Sequence, residues 1–254
     1  MTKKNIAIIQ ARMESSRLPG KIMLPLSGKP LIAHVIERTK MIQGISNVIL
    51  AVPSTETNNV LKEIADECKI GFFQGSEHNV LDRYFNAAIN CNCNCVIQYV
   101  IRITGDNPFM DIQFASDTLK KAIEENADIC SPEDLPLGTA IEVISMNSLK
   151  AAYEEASLPH QLEHVSPFIK ENSDRFKIVK FKTNFKCEFE NLRLTVDTGE
   201  DLKLAQIISQ NLYNGAPYST VDIVNFLKLN PDLVFINSEV LQRPMTHFAE
   251  VDVE

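Results

Sequence analysis

Three cations fall within ten residues near the start of the chain: Arg12, Arg17 and Lys21, in the segment Gln10-Ala11-Arg12-Met13-Glu14-Ser15-Ser16-Arg17-Leu18-Pro19-Gly20-Lys21. Guanidinium forks grip phosphate oxygens two at a time, and a lysine adds a mobile point charge. A solvated basic loop would have the same residues, so the segment alone leaves both readings open. It matches neither G-x-G-x-x-G nor G-x-x-x-x-G-K-[ST], which argues against a dinucleotide oxidoreductase and a P-loop enzyme. Two later segments each set a carboxylate just past a strand-like run: Arg102-Ile103-Thr104-Gly105-Asp106-Asn107-Pro108, and Arg193-Leu194-Thr195-Val196-Asp197-Thr198-Gly199-Glu200-Asp201. A carboxylate there suits Mg²⁺, which takes oxygen ligands and keeps several waters; plain turn chemistry would use the same Gly, Asp, Asn and Pro. Thr198 with Asp201 three residues on reads as a capping box, so Asp201 is expected to be structural, while the cap does not need Asp197. Two carboxylates at two strand ends, facing a tri-cationic loop, predict one site for a metal–nucleotide.

Such residues need a scaffold that brings strand ends together. Hydrophobic patterning predicts strands over residues 5–10, 47–52, 70–73 and 95–103. Helices are predicted after Pro30 and over 56–68, 79–90 and 113–126. Strands alternating with helices of this length predict an α/β fold with a mostly parallel central sheet flanked by helices. Open parallel sheets bind ligands at the carboxyl ends of their strands, where all three segments sit. The second half reads less regularly, with strands at 139–146, 176–182 and 192–196 and helices at 161–172, 200–210 and 220–229. No linker or repeat divides the chain, so residues 1–254 are expected to form a single domain, with 236–254 unplaced. His34 falls on the apolar face of the first helix and is expected to pack in the core.

The 254 residues are 44% hydrophobic and 23% charged, a globular composition. The net charge of −8 argues against an extended nucleic-acid surface, whereas residues 1–40 carry a local +6, which suits a small anion. No apolar run approaches the ~20 residues of a membrane span. The six cysteines, including Cys91-x-Cys93-x-Cys95, lack zinc-like spacing and a disulfide frame, so reduced thiols in a cytoplasmic protein are expected.

Residues 10–21 resemble the nucleotide-binding loop of the cytidylyltransferases related to CMP-Kdo synthetase and to the spore-coat polysaccharide biosynthesis proteins. The resemblance continues in order through Gly75-Ser76-Glu77, Val80-Leu81-Asp82-Arg83-Tyr84, residues 102–108 with Asp111, and Pro136-x-Gly138 with Glu142. It then runs through Glu163-His164-Val165-Ser166-Pro167 and residues 192–201, spanning about residues 5–235. It implies a GT-A-like (Rossmann-like) nucleotidyltransferase fold, Mg²⁺ as cofactor, release of pyrophosphate and a homodimer. The implied reaction moves CMP from CTP to a sugar-acid, sugar-phosphate or similar small anionic acceptor, in polysaccharide or glycoconjugate biosynthesis. Position by position, Gln10, Ala11 and Arg12 would hold the nucleotide and Arg17 and Lys21 its phosphates, so that Arg12, Arg17 and Lys21 carry the catalysis. Ser76 would lie near the base, with Gly75, Arg102, Thr104 and Gly105 completing the nucleotide site. Asp106 and Asp197 would bind metal, and Gly138, Glu142 and His164 would face the acceptor. Glu142 reads equally well as an edge of the sheet.

Glu14 and Asn79 stand where many relatives have Gly and Asp, and Asn107 replaces a frequent Cys. Cytosine rests on the resemblance, with uracil and guanine left open by the residues. The alternatives are a GT-A glycosyltransferase, which commonly carries an Asp-x-Asp motif absent at Gly105-Asp106-Asn107, and a nucleotide-binding protein without catalysis. The extra strands around residues 139–182, without an evident place in a parallel sheet, are a further reason to expect a dimer.

Overall fold

The computed structural model describes residues 2–91 and 95–242. In chain order its elements begin with β1 (Lys3–Gln10), the short hairpin β2 (Pro25–Leu26) and β3 (Lys29–Pro30), and α1 (Leu31–Lys40). Next come β4 (Asn47–Pro53), α2 (Val60–Cys68), β5 (Gly71–Gly75), α3 (Val80–Ile89), β6 (Val96–Thr104) and α4 (Ile112–Glu125). The second half adds β7 (Ile129–Pro132), β8 (Glu142–Ser145), α5 (Met146–Glu155), α6 (Pro159–Glu163), α7 (Pro167–Glu171), β9 (Ile178–Phe181), α8 (Gly199–Leu212) and α9 (Thr220–Leu229).

Among the described residues seven strands form one sheet in the order β5-β4-β1-β6-β8-β7-β9. All adjacent pairs are parallel except those of β8, which runs antiparallel to both β6 and β7. The central strand explains why both faces are covered. Ile6, Ala7, Ile8 and Ile9 are all fully buried, the continuous apolar run of a strand sandwiched by helices. Ala7 and Ile9 pack with residues of α1, α4, α8 and α9 on one face. Ile6 and Ile8 pack with α3, α5 and α7 on the other. His34 is buried, with Nε2 2.7 Å from the Leu26 carbonyl oxygen, and so packs in the core as expected.

The fold corrects several sequence expectations. Residues 192–196 are not a strand; they run as a buried extended segment with a single bridge between Leu137 and Arg193. The helix expected over 161–172 is broken into α6 and α7, because Pro167 opens a new helical turn instead of continuing the old one. The β2–β3 hairpin, β7 and α5 fall outside the strands and helices that the patterning predicts. The extra strands do have places in the sheet, since β8 pairs with β6 and β7, so they give no reason of their own for a dimer. Cys95 is disulfide-bonded, against the expectation of six reduced thiols, whereas Cys68, Cys130 and Cys187 are free thiols as expected; Cys93 lies outside the described residues. Among the described residues no helix is long and apolar enough to cross a membrane.

Candidate active site

The basic loop leaves β1 at Gln10 and is held as a structured turn. The Ala11 amide bonds to the Ala51 carbonyl at 3.3 Å and the Gly20 amide to the Met13 carbonyl at 2.9 Å. Glu14 pins the loop to the turn after β4. Its Oε1 accepts from Thr55 at 3.1 Å and from Thr57, and its Oε2 accepts from Asn58 at 3.2 Å. Asn58 is fully buried and takes the Met13 amide at 2.8 Å. The Thr57, Asn58 and Thr55 hydrogen bonds outweigh the modest burial of Glu14 and lower its pKa. The residue that departs from the family's frequent Gly is therefore a clamp on this loop.

The loop ends in a single 3₁₀ turn, Lys21–Met23, which carries Lys21 inward until only 8% of it is exposed. Its ammonium lies between the two predicted carboxylates, 2.8 Å from Asp106 Oδ2 and 2.7 Å from Asp197 Oδ1. Asp106 reaches this point because β6 turns sharply at Gly105, whose amide bonds to the Gln10 carbonyl at 2.7 Å. A Cβ there would sit 2.9 Å from that of Ala11 and 3.0 Å from the Gln10 oxygen, so only glycine lets β1 and β6 close together. Asp197 arrives on the extended 192–196 segment, where the Val196 amide bonds to the Asp106 carbonyl at 2.9 Å. That backbone bond joins the two carboxylate-bearing loops directly.

Further cations converge on Asp197. Arg17 lies 3.2 Å and Arg193 2.6 Å from its Oδ2. Burial alone would raise the Asp197 carboxyl, but Lys21, Arg17 and Arg193 more than offset it and hold the group below its ordinary value. Arg193 also pairs with Asp201 at 2.8 Å. Asp201 accepts the Asp197 and Thr198 amides at 2.9 and 3.1 Å while Thr198 takes the Asp201 amide at 3.3 Å. That is the predicted capping box, and it has a second duty: it anchors Arg193, which aims Asp197. The sequence gives Arg193 no visible role: outside a helix, a spacing of four residues does not bring two side chains together, so only the folded segment pairs it with Asp197.

The family model described as Cytidylyltransferase matches residues 6–218. The chain belongs to the cytidylyltransferase family. The spore coat polysaccharide biosynthesis protein SpsF of Bacillus subtilis is 30% identical over 232 residues, covering 89% of this chain and 94% of its own. A 3-deoxy-manno-octulosonate cytidylyltransferase of Chloroherpeton thalassium is 24% identical over 250 residues, covering 82% of this chain and 99% of its own. The solved structure of a cytidylyltransferase from Leptospira borgpetersenii superposes with a TM-score of 0.85 at 26% identity, covering 95% of this chain and all of that one.

In this cytidylyltransferase the remaining candidates divide into two groups. On the β5 side, the Ser76 hydroxyl accepts the Asn79 amide at 3.0 Å, and its carbonyl takes the Arg83 guanidinium. Arg12 is exposed on the loop and near enough to Arg83 to disfavour its charge, though burial is the larger cause. Asn79 caps α3 by accepting the Asp82 amide at 2.8 Å; Asn and Asp are equally good there, which accounts for the departure from the family's Asp. Gln10 is paired across the strands with Thr104. Its Oε1 is buried with no hydrogen-bond partner among the described residues, an acceptor left for a ligand donor.

On the other side, Arg102 pairs not with the basic loop but with Glu142, at 2.9 Å. Gly138 is buried against residues 194–195, with a φ of +94° and a Cβ position only 2.4 Å from the Thr195 amide nitrogen. Its place is explained by packing. His164 closes α6 as its C-cap and is half-buried.

Proposed function

We propose that this protein transfers CMP from CTP to a sugar-acid, sugar-phosphate or similar acceptor and releases pyrophosphate. The observation that carries the reading is the meeting of Asp106, just past β6, and Asp197, just past the buried 192–196 segment, on the buried ammonium of Lys21. Two carboxylates at the mouth of the sheet suit Mg²⁺, which is commonly held by one or two carboxylates completed by substrate phosphates and water. Asp106 and Asp197 are the residues that would hold it, and when bound it supplies charge neutralisation on the triphosphate oxygens.

The chain's own groups do the rest. Arg12, Arg17 and Lys21 bind the triphosphate and meet the negative charge that grows on the leaving pyrophosphate. Arg193, locked by Asp201, keeps Asp197 oriented. An acceptor oxygen attacks the α-phosphorus while the bond to the bridging oxygen of the pyrophosphate breaks, a displacement governed by positioning and electrostatics. Gln10 and Ser76 lie on the nucleotide side. The acceptor class is supported by the 3-deoxy-manno-octulosonate cytidylyltransferase among the relatives. A cytoplasmic homodimer belongs to the same reading, drawn from the resembled family; sedimentation at micromolar concentration tests the dimer, and a single ~28.5 kDa species would remove it.

The test of the reaction is a pyrophosphate-release screen. The four nucleoside triphosphates are each supplied with Mg²⁺ and with sugar acids, sugar phosphates or small phosphorylated acceptors. Release is expected with CTP. Binding of CTP without turnover against every acceptor would favour a nucleotide-binding protein instead.

A further inference from the structure

Beyond α9 the chain turns back to the active site. The family model ends at residue 218, and after Leu229 a 3₁₀ run, Pro231–Ile236, leads into a turn closed by the Val240 amide on the Asn237 carbonyl at 3.1 Å. Little apolar burial holds residues 237–242: Leu241 is 84% exposed, and Gln242 is exposed as well. What fastens them is polar. Asn237, only 3% exposed, donates from Nδ2 to the Arg193 carbonyl at 3.1 Å and to Asp201 Oδ1 at 2.8 Å. Gln242 Oε1 accepts from Arg193 Nη1 at 2.5 Å. Apart from a local bond of Ser238 to the Phe235 carbonyl, the side-chain hydrogen bonds that residues 237–242 make among the described residues all end on Arg193 or Asp201.

Those are the two residues that aim Asp197. Arg193 Nε and Nη2 hold Asp201 at 2.8 and 3.2 Å, and Nη2 also reaches Asp197 Oδ2 at 2.6 Å. The bond to Gln242 engages the third nitrogen, so every nitrogen of the guanidinium is fixed. A planar fork held along one edge can still tilt about that edge, and a bond to the far nitrogen stops the tilt. Metal ligation depends on the groups that orient the ligand, and a displacement of about 1 Å at a catalytic group can cost roughly 10² in rate.

We propose that residues 237–242 form a clasp, in which Asn237 and Gln242 are positioning residues that lock Arg193 and Asp201 and through them aim the Asp197 carboxylate at the metal–nucleotide. Neither acts on the reacting atoms; both work through Arg193. The inference rests on the CMP-transfer reading and adds to it a device that lies outside the segment matched by the family model.

The experiment is calorimetric titration of the full chain with α,β-methylene CTP, which resists turnover, once with Mg²⁺ and once with EDTA. Gln242→Met keeps the side-chain length and removes the acceptor at an exposed position, so the melting temperature should stand. Binding of the Mg²⁺-loaded analogue should weaken about 3–10-fold, less than the roughly 10–100-fold typical of a group bonded directly to a metal ligand. Affinity for the metal-free analogue should not change. Gln242→Glu, which still offers Arg193 an oxygen, should recover most of the loss. Asn237→Asp, which sets a second carboxylate against Asp201, should weaken the Mg²⁺-loaded complex in the same direction; the exposed Gln242 position decides the matter should this buried variant fail to fold. Equal affinity of wild type and Gln242→Met for the Mg²⁺-loaded analogue overturns the inference. So does an equal loss with and without Mg²⁺, the mark of a merely structural fastening. Failure of wild type to bind the Mg²⁺-loaded analogue would instead overturn the CMP-transfer reading on which the inference stands.

Discussion

The two ion clusters flanking the end of β6 are built differently, and the difference is one of charge balance. Around Lys21, three cations (Lys21, Arg17, Arg193) face three carboxylates (Asp106, Asp197, Asp201) in contacts of 2.6–3.2 Å. That set is neutral as it stands, and a metal–triphosphate can exchange with it partner for partner, cation for phosphate and carboxylate for metal. Around Glu142, two cations share one carboxylate. That set keeps one net positive charge, and it is Lys170, 34% exposed, that carries it out to water. A self-balanced cluster suits a site where charge moves during reaction. An unbalanced one with its spare cation at the surface suits a structural clamp between β6, β8 and α7.

The largest effect is expected at the carboxylates. Asp106→Asn or Asp197→Asn should lower turnover by at least about 10³-fold, because each removes a metal-suited oxygen donor and leaves the local cations in excess. Near-normal Mg²⁺-dependent activity in either variant would strip that residue of its role. Lys21→Ala comes next. Losing one preorganised charge typically costs about 10²–10³ in turnover, and Lys21→Arg should not rescue fully, since a planar fork cannot fill the place of a compact ammonium between two carboxylates. Turnover at saturating CTP within about threefold of wild type for the Ala variant would return the loop to a solvated basic surface.

The Glu142 cluster should instead show itself in stability. Glu142→Gln is expected to cost about 1.5–3 kcal/mol near neutral pH, the worth of its charged hydrogen bonds. The pH dependence gives the sign. Burial pushes the Glu142 carboxyl up, but Arg102 and Lys170 overcome it and hold it at about 2, against an ordinary 4.5. The folded value lies below the unfolded one, so the ionised form stabilises the fold above about pH 4.5, and that contribution fades as pH falls towards 2. Melting temperatures of wild type and Glu142→Gln should therefore converge on acidification; a constant gap would show that the charge of Glu142 is not what stabilises. The smallest effect is expected at Glu14. Glu14→Gln weakens the clamp on the basic loop by about 0.5–1.5 kcal/mol, read as a few-fold rise in KM for CTP with kcat little changed. A fall in kcat with KM unchanged would place Glu14 in the chemistry instead.

The first cluster was far more legible in the sequence than the second. Its residues sit in compact, turn-rich segments after strong strand patterns, and Gly105, Pro19 and the Thr198–Asp201 cap are visible as local signals. Asp201 was placed correctly because a capping box spans only four residues. The second cluster joins a mid-strand arginine, the first residue of β8, and Ser166 and Lys170 at a short helix. None of these lies in a motif that declares a partner. The expected helix over 161–172 hid the break at Pro167 that sets up α7, and with it the position of Lys170.

The sequence alone determined the alternation of elements through β6, because periods of two and 3.6 residues in a run of buried apolar side chains admit few other structures. It also determined that the basic loop after β1 and Asp106 after β6 end up at one mouth of the sheet, since parallel strands joined by helices must all present the same end to one side. Only the tertiary structure decided who pairs with whom. The antiparallel insertion of β8 beside β6 set Glu142 against Arg102, and the buried 192–196 segment, which failed as a strand, delivered Arg193 and Asp197 to Lys21. Those pairings depend on register and on loops crossing in three dimensions, where side chains from residue 21 and residue 197 meet within 2.7 Å and no local periodicity records the encounter.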